Sequence, residues 1–139
     1  MSIDLKTISE LREKTGAGLN DCKSALEEAG GNIDQALELM RKKGELKAAK
    51  KADRAVKEGI VSVAAKDGKY AFTALACETD FVSRGADFQS ASTELSQKLL
   101  ESSIEEFKSW SEEKIKELVL KIGENIQLAD YGIFQGPIV

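Results

Sequence analysis

The residues best placed to do chemistry in this chain are Asp80, Phe81 and Arg84, within the run Cys77-Glu78-Thr79-Asp80-Phe81-Val82-Ser83-Arg84. A large aromatic set between a carboxylate and a guanidinium, where an apolar strand-like run gives way to a polar helix-like one, suits display better than core packing. Loops carried on a rigid scaffold are where binding residues concentrate. The pattern therefore points to recognition, an apolar ring delivered to a partner between two charges. The opposing reading folds Phe81 back into the core, as many loop aromatics do.

Covalent chemistry has little to work with. The chain has no histidine, which removes the commonest general acid–base and the commonest transition-metal ligand. It contains neither GxxxxGK[ST] nor GxGxxG, and Gly16-Ala17-Gly18 has no strand before it and no Lys-Ser pair after it. Cys22 and Cys77 stand far apart without CxxC spacing and read as small buried apolar groups. A disulfide between them is not expected in an intracellular protein. The carboxylates between Glu101 and Glu117 scatter around helices and read as solvated faces. No catalytic residue, cofactor or metal is expected, so the reading is a binding protein rather than an enzyme.

Those residues need elements to hold them. A chain of 139 residues, 42% hydrophobic and 32% charged with net charge −4, fits one domain or a small domain joined to a second unit. The negative charge argues against nucleic acid as the main partner. No apolar run approaches the roughly 18 residues of a membrane span. Met1 to Lys6 has no basic head and apolar stretch, so a soluble intracellular protein is expected.

Leu5, Ile8 and Leu11 repeat at helical spacing, with Asp4 or Ser2 as cap. Thr15-Gly16-Ala17-Gly18 stops that helix. A second helix places Leu19, Cys22, Leu26 and Ala29 along one side, and Asp21 complements its dipole. Gly30-Gly31 ends it, and Asn32 caps a third helix carrying Ile33, Ala36, Leu37 and Met40. These three make a bundle over residues 1–45. Between Arg41 and Lys57 eight basic residues face only Glu45 and Asp53. Residues 46–57 read as a basic, partly helical and exposed linker. No aromatic is interleaved there for base stacking.

Residues 58–139 read as α+β. Ile60 to Ala65 alternates as a strand, Lys66-Asp67-Gly68-Lys69 is a hairpin turn, and Tyr70 to Cys77 is the returning strand. A loop then carries Thr79 to Val82. Helices follow over Phe88–Leu100 and Ser111–Ile122, with Ser111 as a cap and Trp110 as an anchor between them. Gly123-Glu124-Asn125 breaks the second, and a further strand starts at Ile126. Tyr131 to Val139 is apolar and strand-like, including Pro137, Ile138 and Val139, and leads us to expect more sheet beyond it.

Four of these runs resemble the elongation factor Ts family, in the family's order and spacing. They are Leu11 to Leu26, Lys47-Ala48-Ala49-Lys50-Lys51-Ala52, Glu78-Thr79-Asp80-Phe81-Val82 and Lys121-Ile122-Gly123-Glu124-Asn125-Ile126. The resemblance covers essentially the whole chain, although family members continue well past Val139. It implies a three-helix N-terminal bundle like the ubiquitin-associated domain, a linker, and part of an α+β core built on antiparallel sheet. It also implies guanine-nucleotide exchange on the translational GTPase EF-Tu, in its GDP-bound and nucleotide-free forms. The implied contacts are Leu11, Gly18, Leu19 and Asn20 on the nucleotide-binding domain, with Thr79, Asp80, Phe81 and Val82 inserted near its magnesium site. Asn20 stands where many relatives have an apolar residue, which points to a polar or weak contact. The implied setting is the bacterial cytoplasm or an organelle matrix, with no membrane, no specific nucleic acid, and self-association through the family's C-terminal half.

Three other classes compete, the last an enzyme, which would need a cleft with paired carboxylates that the sequence does not reveal. A ubiquitin-associated-type adaptor accounts for residues 1–45 but leaves Thr79 to Val82 without a role. An RNA-binding protein would use Arg41 to Lys57, and its binding would fall steeply with salt.

Overall fold

The computed structural model describes residues 3–136, so the readings of Ser2 as a cap and of Pro137 to Val139 as strand fall outside the described residues. The described chain is mixed α+β, with six helices and one three-stranded antiparallel sheet.

Helix α1 spans Leu5–Thr15. Asp4 caps it, its carboxylate accepting from the Thr7 amide at 3.0 Å. Gly16, at φ 68°, closes it by donating its N–H to the Arg12 carbonyl. Helix α2 covers Leu19–Glu28, and α3 covers Ile33–Lys51 with Asn32 accepting from the Gln35 amide. Ile8, Leu11, Cys22, Ala25, Leu26, Ala36 and Met40 bury together between them. Leu19 was expected on this stripe. It is 53% exposed, because none of the described residues covers the first turn of α2.

The third helix does not stop near residue 45. It runs six residues further, to Lys51, through a stretch rich in alanine and lysine, both good helix formers. Nor is it wholly exposed. Gly44 is buried, and a Cβ there would lie 3.0 Å from the Lys116 carbonyl of α6 (Ile104–Ile122), so only glycine lets the two backbones approach this closely. Ala48 packs on the sheet-side core.

Strands β1 (Glu58–Lys66), β2 (Lys69–Cys77) and β3 (Gln127–Gln135) lie in that order. Asp67 and Gly68, at φ 52° and 75°, make the two-residue turn of the first hairpin, whose twist matches that of the strands. An irregularity at Ala74/Leu75 shifts the β2–β3 register, leaving Leu75 opposite Leu128.

Ala71, Thr73, Leu75 and Cys77 point from β2 to one face, under α5 (Ala86–Glu101) and α6. There they meet Phe88, Leu95, Leu99, Phe107, Leu118 and Val119. The other sheet face leaves Val61, Val63 and Phe134 exposed. On that face Phe72 stacks on Phe134 at 5.7 Å and lies over Gly132, where a Cβ would come within 2.6 Å of its ring.

Two further expectations change. Helix α6 starts at Ile104 with Ser103 as cap, not at Ser111. Phe107 supplies the earlier turns with a core contact, and Ser111 is buried mid-helix, bonding back to the Lys108 carbonyl. The expected loop at Thr79 to Val82 is a single helical turn, α4, over Asp80–Ser83.

Candidate functional site

The site grows from the end of β2. Cys77 is the last inward-facing residue of the strand, and its thiol donates to the Thr79 carbonyl at 3.3 Å. Burial, followed by the nearby Glu124 carboxylate, pushes that thiol's pKa up, so it stays protonated and unreactive near neutral pH. Thr79 then caps α4, its hydroxyl accepting from the Val82 amide at 3.4 Å. Within the turn, the Ser83 hydroxyl donates to the Asp80 carbonyl, and the Gly85 amide donates to the Val82 carbonyl before α5 begins.

This turn divides its residues by task. Phe81 projects outward and is 86% exposed. Asp80 and Arg84, also exposed, stand 3.9 Å apart beside it. Val82 is half-buried against the sheet-side core, and Thr79 is half-buried and occupied in hydrogen bonds. Of the four residues expected to act here, Asp80 and Phe81 face solvent while Thr79 and Val82 hold the turn.

The second expected set divides likewise. Gly18, Leu19 and Asn20 are exposed at the start of α2. Leu11, expected among the contacts, is completely buried in the bundle core, because the Ile8–Leu11 stripe faces α2 and α3. Leu11 can only support the surface from behind. Gly18 has an ordinary φ of −65°, and a Cβ there would meet nothing within 4 Å among the described residues, so none of them requires glycine at this position.

The two sets are linked indirectly, through Lys121 near the end of α6. A Cβ at Gly16 would lie 2.9 Å from the side chain of Lys121, whose ammonium pairs with Asp87 in the first turn of α5 at 3.2 Å. The α1–α2 loop therefore lies at the end of α6 and the start of α5, the same region that carries α4.

What braces α4 was not legible in the sequence. Glu124 sits two residues past the end of α6 and 45 positions from Thr79, with which it shares a 2.7 Å hydrogen bond. The helix break at Gly123-Glu124-Asn125 marked a turn, but nothing in its spelling said where the carboxylate would go. Among the described residues, no three of Cys, Asp and Glu gather closely enough to hold a metal ion. No helix there is long and apolar enough to cross a membrane.

Fold and site together define an α+β protein that presents a braced, solvent-facing aromatic at the junction of its sheet and helices. The chain belongs to the elongation factor Ts family. It is 44% identical to elongation factor Ts of Hydrogenobaculum sp. (strain Y04AAS1) in an alignment 151 positions long that covers 99% of this chain and 55% of the relative. The Aquifex aeolicus protein of that name is 41% identical, covering 94% of this chain and 52% of the relative. That of Photorhabdus laumondii is 46% identical, covering 93% and 47%. The chain spans about half the length of the curated relatives it matches. No protein-family model matches it.

Proposed function

We propose that this chain docks on EF-Tu and promotes release of its GDP, with the Asp80-Phe81 turn entering near the magnesium and nucleotide site. Gly18, Leu19 and Asn20 form the second contact, on the nucleotide-binding domain, while Thr79, Val82 and Leu11 support from within. The observation that carries this reading is Phe81, a large apolar ring left 86% exposed on a turn fixed by hydrogen bonds at its entry.

Exchange of this kind is negative coupling. A partner that prefers the nucleotide-free GTPase weakens the nucleotide by the factor by which nucleotide weakens the partner. Loosening by a thousandfold needs about 4 kcal/mol of differential binding. Burial of one phenylalanine ring contributes about 1.5–3 kcal/mol, so Phe81 as a wedge accounts for a large part. Asp80 contributes a polar contact to the displaced magnesium-site loop. The mechanism needs no covalent step, no bound cofactor and no membrane, and it sets the protein in the compartment of its GTPase, the bacterial cytoplasm or an organelle matrix.

The test is the release rate of fluorescent GDP from EF-Tu with this chain and with its Phe81→Ala variant. Acceleration that falls about ten- to a hundredfold in the variant, with an unchanged thermal melt, supports the wedge. Equal acceleration by both proteins removes Phe81 from that role. Binding without acceleration by either would show docking without exchange.

A further inference from the structure

The run Gly123-Glu124-Asn125 does more than end a helix. Gly123 closes α6 in the left-handed region at φ 87°, and its carbonyl accepts from the Lys51 ammonium at the end of α3. Glu124 then turns toward α4. One of its carboxylate oxygens accepts from the Glu78 amide at 3.0 Å and the Thr79 amide at 3.1 Å, and the other from the Thr79 hydroxyl at 2.7 Å.

Glu78 returns the contact, its carboxylate accepting from the Asn125 amide at 2.8 Å. The buried Asn125 side chain donates to the Ala52 and Arg54 carbonyls, at 3.4 and 2.7 Å. Three separate stretches therefore meet at this turn: the end of α3, the end of α6 and the entry to α4.

A four-residue helix cannot hold itself, since it hardly repays its own nucleation. Phe81 adds no anchoring because it packs on almost nothing in the free chain. The direction of the ring is thus imposed at the entry to the turn and by Val82 beneath it. At that entry three donors converge on one carboxylate, and hydrogen bonds to an ionised acceptor are roughly twice as strong as neutral ones.

We propose that Glu124 is the positioning residue of the docking site. It fixes the entry of α4 and so the direction in which Phe81 projects, while Gly123 and Asn125 tie the same turn to α3 and the bundle that carries Leu19. Glu124 acts through Phe81 and need not touch the partner. The assignment rests on the exchange reading above, and its test separates the two.

Amide hydrogen exchange is measured on the free chain, and GDP release from EF-Tu in parallel, for Glu124→Ala, Glu124→Gln, Phe81→Ala and the Phe81→Ala/Glu124→Ala pair. In Glu124→Ala, the bonded amides of residues 78–83, those of Glu78, Thr79, Val82 and Ser83, should exchange about tenfold faster or more, with β2, α5 and α6 keeping their protection. Glu124→Gln, which retains an acceptor for the two amides, should fall between. Unchanged protection at 78–83 overturns the proposal. If the alanine variant unfolds globally, the glutamine variant decides in the same assay.

In GDP release, Glu124→Ala should lose about as much acceleration as Phe81→Ala, and the pair should be no worse than Phe81→Ala alone. Losses that multiply in the pair mean that Glu124 acts independently of Phe81, which overturns the positioning role. If the unaltered chain gives no acceleration, the exchange reading fails, and the protection data alone decide whether Glu124 holds the turn.

Discussion

Thr73 and Phe81 break the usual distribution of polar and apolar side chains in opposite directions. The Thr73 hydroxyl is fully buried without a hydrogen-bond partner among the described residues, while the Phe81 ring stands in solvent. An unpaired buried hydroxyl costs free energy that an apolar group of the same shape does not. Thr73→Val should therefore raise the thermal midpoint by about 3–5 °C, corresponding to roughly 1 kcal/mol for a chain of this size. A lower midpoint would show that the hydroxyl is satisfied in solution, by water. Asp80 and Arg84 beside the ring left display and core packing both open in sequence, and the structure shows the ring exposed. The orphan hydroxyl was not legible there, since threonine on an alternating strand reads equally well toward either face until the register is known.

At the scale of elements, two corrections matter, one to where a helix ends and one to whether a helix forms. Lysine and alanine carry no strong stop signal, so Arg41 to Lys57 read as a connector. The packing of Gly44 and Ala48 on α6 and the sheet-side core is what keeps the helix going to Lys51. Gly44→Val tests that seam. Replacing glycine by valine gains only a few tenths of a kcal/mol of helix propensity. Forcing a branched side chain against the Lys116 backbone should cost about 1–3 kcal/mol. A net fall in stability of about 1–2 kcal/mol is expected from urea unfolding, and an unchanged midpoint would mean that α3 stands off α6. Helix α4 was hidden for another reason. A single turn has too few residues to show a period, and it forms only because Thr79 and Glu124 satisfy its entry.

At the scale of the whole molecule, bundle and core are joined partly by charge. The Lys116 ammonium reaches Glu45 of α3 at 2.8 Å and Glu113 at 3.4 Å. Its hydrogen bond to Lys116, then the attraction of the same ammonium, holds the Glu45 carboxyl below the usual glutamate range. The hydrogen bond that Lys116 donates to Glu45, then the negative field of Glu113 and Glu45, raises Lys116 despite some desolvation. A carboxyl with a depressed folded pKa stabilises above its unfolded value near about 4.3 and loses that contribution as pH falls through the folded one. A raised lysine stabilises fully below about 10.4 and loses its contribution as pH rises beyond that. The seam should thus weaken at both extremes, by little, because both groups lie near solvent. Lys116→Met should flatten the acid-side fall of the thermal midpoint below about pH 4. An identical acid limb in the variant would show that the pair contributes nothing measurable.

The sequence by itself determined whatever is written in local spacing. The bundle follows from three short apolar stripes joined by two glycine turns, and the hairpin from Asp67-Gly68 between alternating runs. The family follows from four motifs in order. Those features depend on residues a few positions apart, so their physics is complete within a short window. Only the tertiary structure decided that Leu11 is core and Leu19 is surface, that α3 runs on against α6, and that Glu124 reaches across 45 positions to Thr79. Each of those depends on what covers a side chain or meets a carboxylate, and such a partner exists only once distant stretches have folded together.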